Sequence, residues 1–417
     1  MSDRNKNKPG YKETKAGWMP SDWQCRTLDS IATRLTGHTP DNNVPEYWNG
    51  GVKWVSLADS DRLDRGLILS TDKEISDLGI KHSSARRLPY GTVVLLRDAS
   101  VGKVGILAQE MAVSQHFVAW VCGGELENRY LYYWLLSQRR LFVRVAVGTT
   151  IVTIGMPFFA KLTVPVPPLP EQIEIADILT TCDEVIEKTS ALINSKKQQK
   201  KTLMHQLLTG KKRLPRFEGE WTKVVLANLC TRLKEVAENP DGYPVLSITA
   251  RTGFVSQEDK FSRVIAGKQV ENYVVLKRGD FAYNKGNSYL YPQGCVYQLS
   301  EYDEGLVPNV FYSFRLDEAC ADADFIKQYF LAGLHNKDLY RWINSGVRNN
   351  GLLNLNASDF FKLPISLPPL PEQKAIGNVF READTEIRAL DAKLKSLKQQ
   401  KKALMQKLLT GQVRVKV

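Results

Sequence analysis

Two stretches of the chain carry an apolar seam of heptad period. In the later one, Ile376, Phe380, Ala383, Ile387, Leu390, Leu394, Leu397, Lys401, Leu404 and Leu408 step by alternating fours and threes. In the earlier one, Ile175, Leu179, Cys182, Ile186, Thr189, Ile193, Lys196, Lys200, Leu203 and Leu207 keep the same phase. This period predicts two long helices, each presenting one stripe to a partner. Their ends are marked too: Pro170 and Pro371 suit a first helical turn, Glu171 and Glu372 follow them, and Gly210 and Gly411 suit C-terminal caps. A lone surface helix also shows a stripe, but two equal seams in one chain favour mutual packing. The Lys/Gln run at 196–201 reads as a solvated face, with DNA contact as the alternative.

The two seams are copies. PPLPEQ occupies Pro167–Gln172 and again Pro368–Gln373, an offset of 368 − 167 = 201. The same offset carries Gln198-Gln199-Lys200-Lys201 onto Gln399-Gln400-Lys401-Lys402, and Leu207-Leu208-Thr209-Gly210 onto Leu408-Leu409-Thr410-Gly411. Alignment of 167–210 with 368–411 needs no gap and leaves 22 of 44 positions identical, far above chance, so a duplicated element is the organising feature. Upstream the relation is weaker. Trp23 and Thr33-Arg34-Leu35 match Trp221 and Thr231-Arg232-Leu233 at offset 198, Gly91 matches Gly279 at 188, and Phe117 matches Phe311 at 194. Divergence is therefore confined to two variable segments. The expected organisation is a flexible N-terminal tail at 1–17, a variable domain at 18–166, a constant helix at 167–210, a linker with a second variable domain at 211–366, a constant helix at 367–411, and a C-terminal tail at 412–417.

Both variable segments mix short β-like runs (Val52–Leu57, Thr92–Leu96, Val274–Leu276, Val310–Phe314) with helical patterns at Arg129–Val145 and Asp324–Trp342. The expected fold class is α+β. A helix of 39 residues is about 58 Å long at 1.5 Å per residue, well beyond the roughly 40 Å diameter of one such domain. The second helix is therefore expected to return antiparallel along the first, with the variable domains at opposite ends and a pseudo-two-fold internal repeat.

Composition narrows the function. The chain has 417 residues, 43% hydrophobic and 24% charged, with a mean hydropathy of −0.29, which suits folded domains and excludes wholesale disorder. No run of eighteen apolar residues and no apolar leader is present, so a cytoplasmic protein without a membrane partner is expected. Lys and Arg exceed Asp and Glu by 57 to 45, net +12, which suits a polyanion partner. The six cysteines include no C-x-x-C pair and the five histidines have no metal-ligand spacing, so neither disulfides nor a metal site is expected. No phosphate loop, S-adenosylmethionine loop, NPPY-type adenine methyltransferase motif or restriction-type nuclease core is found, so the chain is expected to be non-catalytic.

Candidate contact residues follow from the repeat. After the turns at Gly91 and Gly279, both copies run a strand into a basic residue, Arg97 or Lys285, and then a small polar loop. Gln115-His116 aligns with Asn309-Val310, where Gln or Asn suits adenine. With Thr39 in the GHTP turn, Lys103, Asn287 and Arg348, these are the candidates for phosphate or base-edge contact: Thr39, Arg97, Lys103, Gln115, His116, Lys285, Asn287, Asn309 and Arg348. Solvated charge and a plain loop over a core are the bland readings of the same residues. Ile175, Leu179, Ile186, Leu203, Leu207, Ile376, Phe380, Ile387, Leu394, Leu404 and Leu408 are the candidates for the helix seam or a partner surface.

Together these residues carry a resemblance. GYKET followed by Gly17-Trp18-Met19-Pro20 and Trp23, the GHTP to YWNGG block, and two PPLPEQ to LLTG segments resemble the specificity subunit of type I restriction-modification enzymes, the HsdS family. The resemblance covers essentially the whole chain. It implies two target-recognition domains that each read half of a bipartite, asymmetric double-stranded DNA target, with helices that dock partners and fix the spacer. It also implies two methyltransferase (M) subunits carrying S-adenosylmethionine and two restriction/translocase (R) subunits using ATP and Mg. The complex would be a site-specific endonuclease and adenine-N6 DNA methyltransferase. The competing reading is a structural coiled-coil adaptor with non-specific nucleic-acid binding; it explains the seam but not two divergent domains of equal size.

Overall fold

The computed structural model describes residues 6, 8–14, 17–149, 151–249, 252–258, 267–286, 291–343 and 353–416. The chain resolves into two compact units, Met1–Thr189 with Lys393–Val417 and Ser190–Ala392. Each holds one variable domain with one stretch of each long helix, Leu169–Leu207 and Leu370–Leu409.

In the first unit the main sheet runs Ala32–Thr36, Phe117–Cys122, Val93–Leu96, Val104–Leu107, Leu67–Ile68 in spatial order. All pairings are antiparallel except the last. Val93, Val94, Leu95 and Leu96 are all fully buried, because both faces of this strand are covered, which is why its sequence is a continuous apolar run and not an alternation. One face packs on Tyr130, Leu131 and Trp134 of helix Asn128–Ser137; the other packs on Val55, Leu63 and Met111. A smaller sheet joins Ala112–Val113, Trp48–Val55 and Lys73–Ile75.

The second unit repeats the frame with four antiparallel strands in the order Cys230–Arg232, Tyr312–Leu316, Phe281–Asn284, Cys295–Gln298. Its core is aromatic: Phe281 stacks on Phe314 at 5.3 Å and Tyr283 on Phe360 at 4.5 Å between ring centroids. The strand registers reproduce the sequence offsets. Val93 pairs with Trp120 and Trp120 with Arg34 in the first unit, as Phe281 pairs with Phe314 and Phe314 with Arg232 in the second. Gly91 and Gly279, at φ +81° and +97°, both take the left-handed turn that glycine adopts without strain.

The two long helical patterns of the variable domains are each interrupted. Residues 129–145 form Asn128–Ser137 and Arg139–Val145. Residues 324–342 form Ala323–Leu331 and Asn336–Trp342, separated at Gly333 with φ +69°.

The PPLPEQ motif explains itself through packing. In the first unit Glu171 is 2% exposed and accepts from Trp23 Nε1 at 3.0 Å and from Arg414 at 2.6 and 2.8 Å. Arg414 also grips Asp22 at 2.9 and 2.6 Å, and these carboxylates raise its pKa. In the second unit the fully buried Glu372 takes both bonds of a fork from Arg213 at 2.6 Å. The neighbouring glutamines bond backbone alone. Gln172 accepts Glu127 N–H at 2.9 Å and donates to the carbonyls of Glu125 and Pro167; Gln373 accepts Asp322 N–H at 3.0 Å and donates to Pro368. Motif glutamine thus ties the helix start to the domain, and motif glutamate ties it to the chain just after the other helix's end. A Cβ on Gly411 would meet Pro20 Cγ at 2.4 Å, so only glycine fits this junction. Arg213 and Arg414 stand at the 201 offset, three residues beyond LLTG.

Within each unit the helix stretches pair antiparallel. In the second, Lys196 meets Glu386 at 2.7 Å, Lys197 meets Asp391 at 3.2 Å and Lys200 meets Asp384 at 2.6 Å. In the first, Lys401 pairs with Asp183, the repeat equivalent of Lys200 with Asp384. The Lys run at 196–201 therefore supplies ion pairs to the facing helix. Of the seam candidates, Ile175, Leu179, Leu207, Ile376, Phe380, Ile387 and Leu408 are buried, while Ile186, Leu203, Leu394 and Leu404 are half-buried. Toward the helix ends the seam merges with the domains: Ile175, Leu179 and Leu408 belong to the first core, and Leu207, Ile376 and Phe380 to the second.

Candidate nucleic-acid interface

The candidate contacts lie where the central strands leave the sheet. In the first unit, Leu96 pairs with Phe117 at the end of the register, and Arg97 N–H then donates to the His116 carbonyl at 2.9 Å. The Arg97 carbonyl in turn receives Ile154 N–H at 3.0 Å. These bonds bring the loops after residues 96, 114 and 147 to one place. Asp98 sits among them with its side chain 10% exposed. One carboxylate oxygen, Oδ1, accepts the Thr153 hydroxyl and lies 3.4 Å from Arg97 Nε. The other, Oδ2, lies 2.8 Å from His116 Nδ1. Thr39 donates its hydroxyl to Gln115 Oε1 at 2.6 Å, which leaves the exposed amide NH2 of Gln115 for an outside acceptor. Thr39, Arg97, Gln115 and His116 therefore share one loop cluster. Lys103, at the base of the same hairpin, turns elsewhere: its ammonium donates to the Ser60 carbonyl at 2.9 Å and faces Asp61 at 3.7 Å.

In the second unit Lys285 leaves the equivalent strand, and its carbonyl receives Leu353 N–H at 2.9 Å. Its ammonium lies 5.2 Å from the Tyr312 ring centroid, and Arg232 lies 5.8 Å from the same ring. Cations held over an aromatic face keep their charge while losing freedom, which suits phosphate contact. Asn309 is exposed in the turn before strand Tyr312–Leu316. Asn287 and Arg348 lie outside the described residues.

Sequence reasoning missed Asp98, Thr153, Tyr312 and Arg232. Asp98 carried one signal: its repeat equivalent at offset 188 is Gly286, so the frame does not require a carboxylate there. A second feature it missed is the stretch from Asn128 to Pro170, which contains no Asp or Glu and five Arg or Lys. Within it Val147 and Thr153 exchange both backbone hydrogen bonds at 2.9 Å, and Val147 and Ile151 are 69% and 61% exposed. An acid-free, basic segment with exposed aliphatic groups beside hydrogen-bonding loops fits the edge of a nucleic acid.

Among the described residues, no group of His, Cys, Asp and Glu is placed to hold a metal ion, and no helix is long and apolar enough to cross a membrane. Burial pushes the Cys122, Cys230 and Cys295 thiols up to about 12, which keeps them neutral and poor nucleophiles.

Residues 20–201 match the family described as type I restriction modification DNA specificity domain. The chain is 24% identical over 439 residues to the type I restriction enzyme MjaVIII specificity subunit of Methanocaldococcus jannaschii, covering 97% of this chain and 96% of that one. It is 21% identical to the EcoKI specificity subunit of Escherichia coli K12, with 95% and 90% covered. A stretch of 190 residues is 27% identical to the MjaIX specificity subunit of M. jannaschii, covering 45% of this chain and 43% of that protein. Among solved structures, the S subunit of a type I restriction-modification system from M. genitalium has the same fold, with a TM-score of 0.56 at 17% identity, covering 93% and 96% of the two chains.

Proposed function

We propose that this chain, whose residues 20–201 match the type I restriction modification DNA specificity domain, is the specificity subunit of a type I restriction-modification enzyme, and that its two variable domains each read one half of a bipartite double-stranded DNA target on behalf of partner enzymes. The observation that carries this reading is a shared frame with divergent loops. Strand registers, the PPLPEQ clamps and the interhelical ion pairs repeat between the units, whereas the loop side chains after Arg97 and Lys285 do not. A scaffold with two independently specified readers requires that combination; a purely structural adaptor does not.

In this reading two methyltransferase subunits bind the constant helices and bring S-adenosylmethionine. Two translocase-nuclease subunits bring ATP and Mg, and the modified group is the N6 amino group of adenine. The chain itself supplies recognition and spacing, in the cytoplasm. The test is to combine this chain with methyltransferase subunits, S-adenosylmethionine and DNA. Methylation of a two-part target is expected only when the subunits are mixed. Exchange of residues 215–366 for those of a relative should change one half-site and leave the other. Methyl transfer by this chain alone, or a change in both half-sites, would overturn the proposal.

A further inference from the structure

Asp98 and His116 form a pair that the shared frame does not need. Their repeat equivalents are Gly286 and Val310, yet the surrounding strands keep the same register in both units. The pair's chemistry is directional. A carboxylate accepts only, so in the neutral imidazole the 2.8 Å contact from Asp98 Oδ2 places the proton on Nδ1 and leaves Nε2 as an acceptor. The His116 side chain is 28% exposed, and Nε2 has no hydrogen-bond partner among the described residues. His116 is also fixed in place, since its carbonyl receives Arg97 N–H at 2.9 Å.

We propose that His116 Nε2 reads a base presenting an exocyclic amino group in the major groove, adenine N6 or cytosine N4, and that Asp98 is the positioning residue that fixes the tautomer. The inference rests on the DNA-reading function proposed above and adds the chemical class read by this loop. Guanine and thymine present oxygen acceptors at the corresponding edge, and two acceptors repel. The neighbours agree with a base contact: Gln115, one residue earlier, has its amide oriented by Thr39, and Arg97 supplies a positive charge beside the pair.

The tautomer makes the idea testable without removing the ring. Oδ1 of Asp98 faces two donors, the Thr153 hydroxyl and Arg97 Nε. In Asp98→Asn the amide carbonyl stays on that side, and the new NH2 group meets His116 Nδ1. The proton then moves to Nε2, which becomes a donor. The experiment maps methylation of a randomised target library by the chain assembled with its methyltransferase partners. The wild type should prefer adenine or cytosine at one position of one half-site by roughly fivefold or more. His116→Ala should relax that position to all four bases, and Asp98→Asn should shift it toward guanine or thymine, with the other half-site read as before in both. Unaltered preference at every position in His116→Ala would overturn the inference, as would a preference in Asp98→Asn that still favours adenine or cytosine. Should Asp98→Asn not assemble, the His116→Ala result decides. No two-part methylation by the wild-type assembly would refute the proposed function instead.

Discussion

Arg414→Ala removes the guanidinium from a carboxylate that cannot reach water. Glu171 is 2% exposed, and after the substitution its remaining side-chain donor is Trp23 Nε1 at 3.0 Å. Stripping one partner from a buried ion pair typically costs about 3–5 kcal/mol. Here the Arg414 side chain is itself 39% exposed, so its loss lets water approach Glu171, and screening lowers the expected cost to about 2–3 kcal/mol. For a unit of about 210 residues, that corresponds to a fall of roughly 5–10 °C in the first unfolding midpoint. The assay is calorimetry of the whole chain, with two companion variants. Glu171→Gln in the Arg414→Ala background removes the stranded charge while its side-chain oxygen can still accept from Trp23, and should recover at least half the loss. Asp22→Ala removes the half-exposed partner alone and should cost less than about 1 kcal/mol. A shift below about 1 °C in Arg414→Ala, or no recovery in the double variant, would refute the reasoning that the carboxylate of PPLPEQ is held by the chain after the other repeat.

Arg213→Ala should destabilise the second unit, and more than Arg414→Ala does the first, because Trp221 Nε1 is buried without a hydrogen bond and does not replace the lost donor on Glu372; calorimetry of the same kind compares the two. His335 is fully buried with neither ring nitrogen bonded, and burial holds its pKa near 3 against an ordinary 6.5. The unfolded chain therefore takes up this proton first as pH falls through that interval, and stability drops. From pH 7 to 5 the loss should be about 2 kcal/mol, measured as a fall in denaturation midpoint that His335→Leu largely abolishes. Combined Arg97→Ala and Lys285→Ala should weaken binding to all DNA sequences and lower the salt slope by about one unit per lost phosphate contact; unchanged affinity and slope would remove both residues from the interface. Inserting one heptad at matching places in both long helices keeps the seams in phase and lengthens each by roughly 10 Å. A library of spacers should then show a preference longer by about three base pairs at 3.4 Å each, and an unchanged preference would mean that something other than the helices sets the spacing.

The helices and the duplication were legible in the sequence because both are local, periodic statements. A heptad stripe can be counted, and 22 identities in 44 aligned positions need no knowledge of contacts. The weaker offsets of 188, 194 and 198 rest on a few matched residues such as Gly91 with Gly279 and Phe117 with Phe311, and the strand registers follow them, since Trp120 with Arg34 mirrors Phe314 with Arg232. The partners of buried polar groups were not legible. Glu171 is satisfied by an arginine 243 positions away, and Asp98 by a threonine 55 positions away. No local pattern announces such pairs, since any exposed Asp or Arg looks the same in a row of letters. Likewise, the Lys run at 196–201 read as a solvated face until Asp384, Glu386 and Asp391 were found opposite it. Lys103 looked like Arg97 until its ammonium was seen on the Ser60 carbonyl. Sequence alone determined the repeated elements and their period, which depend on residues a few positions apart. Tertiary structure decided which charges are held inside and which loops converge, because desolvation and hydrogen bonding depend on what folding brings within about 3 Å.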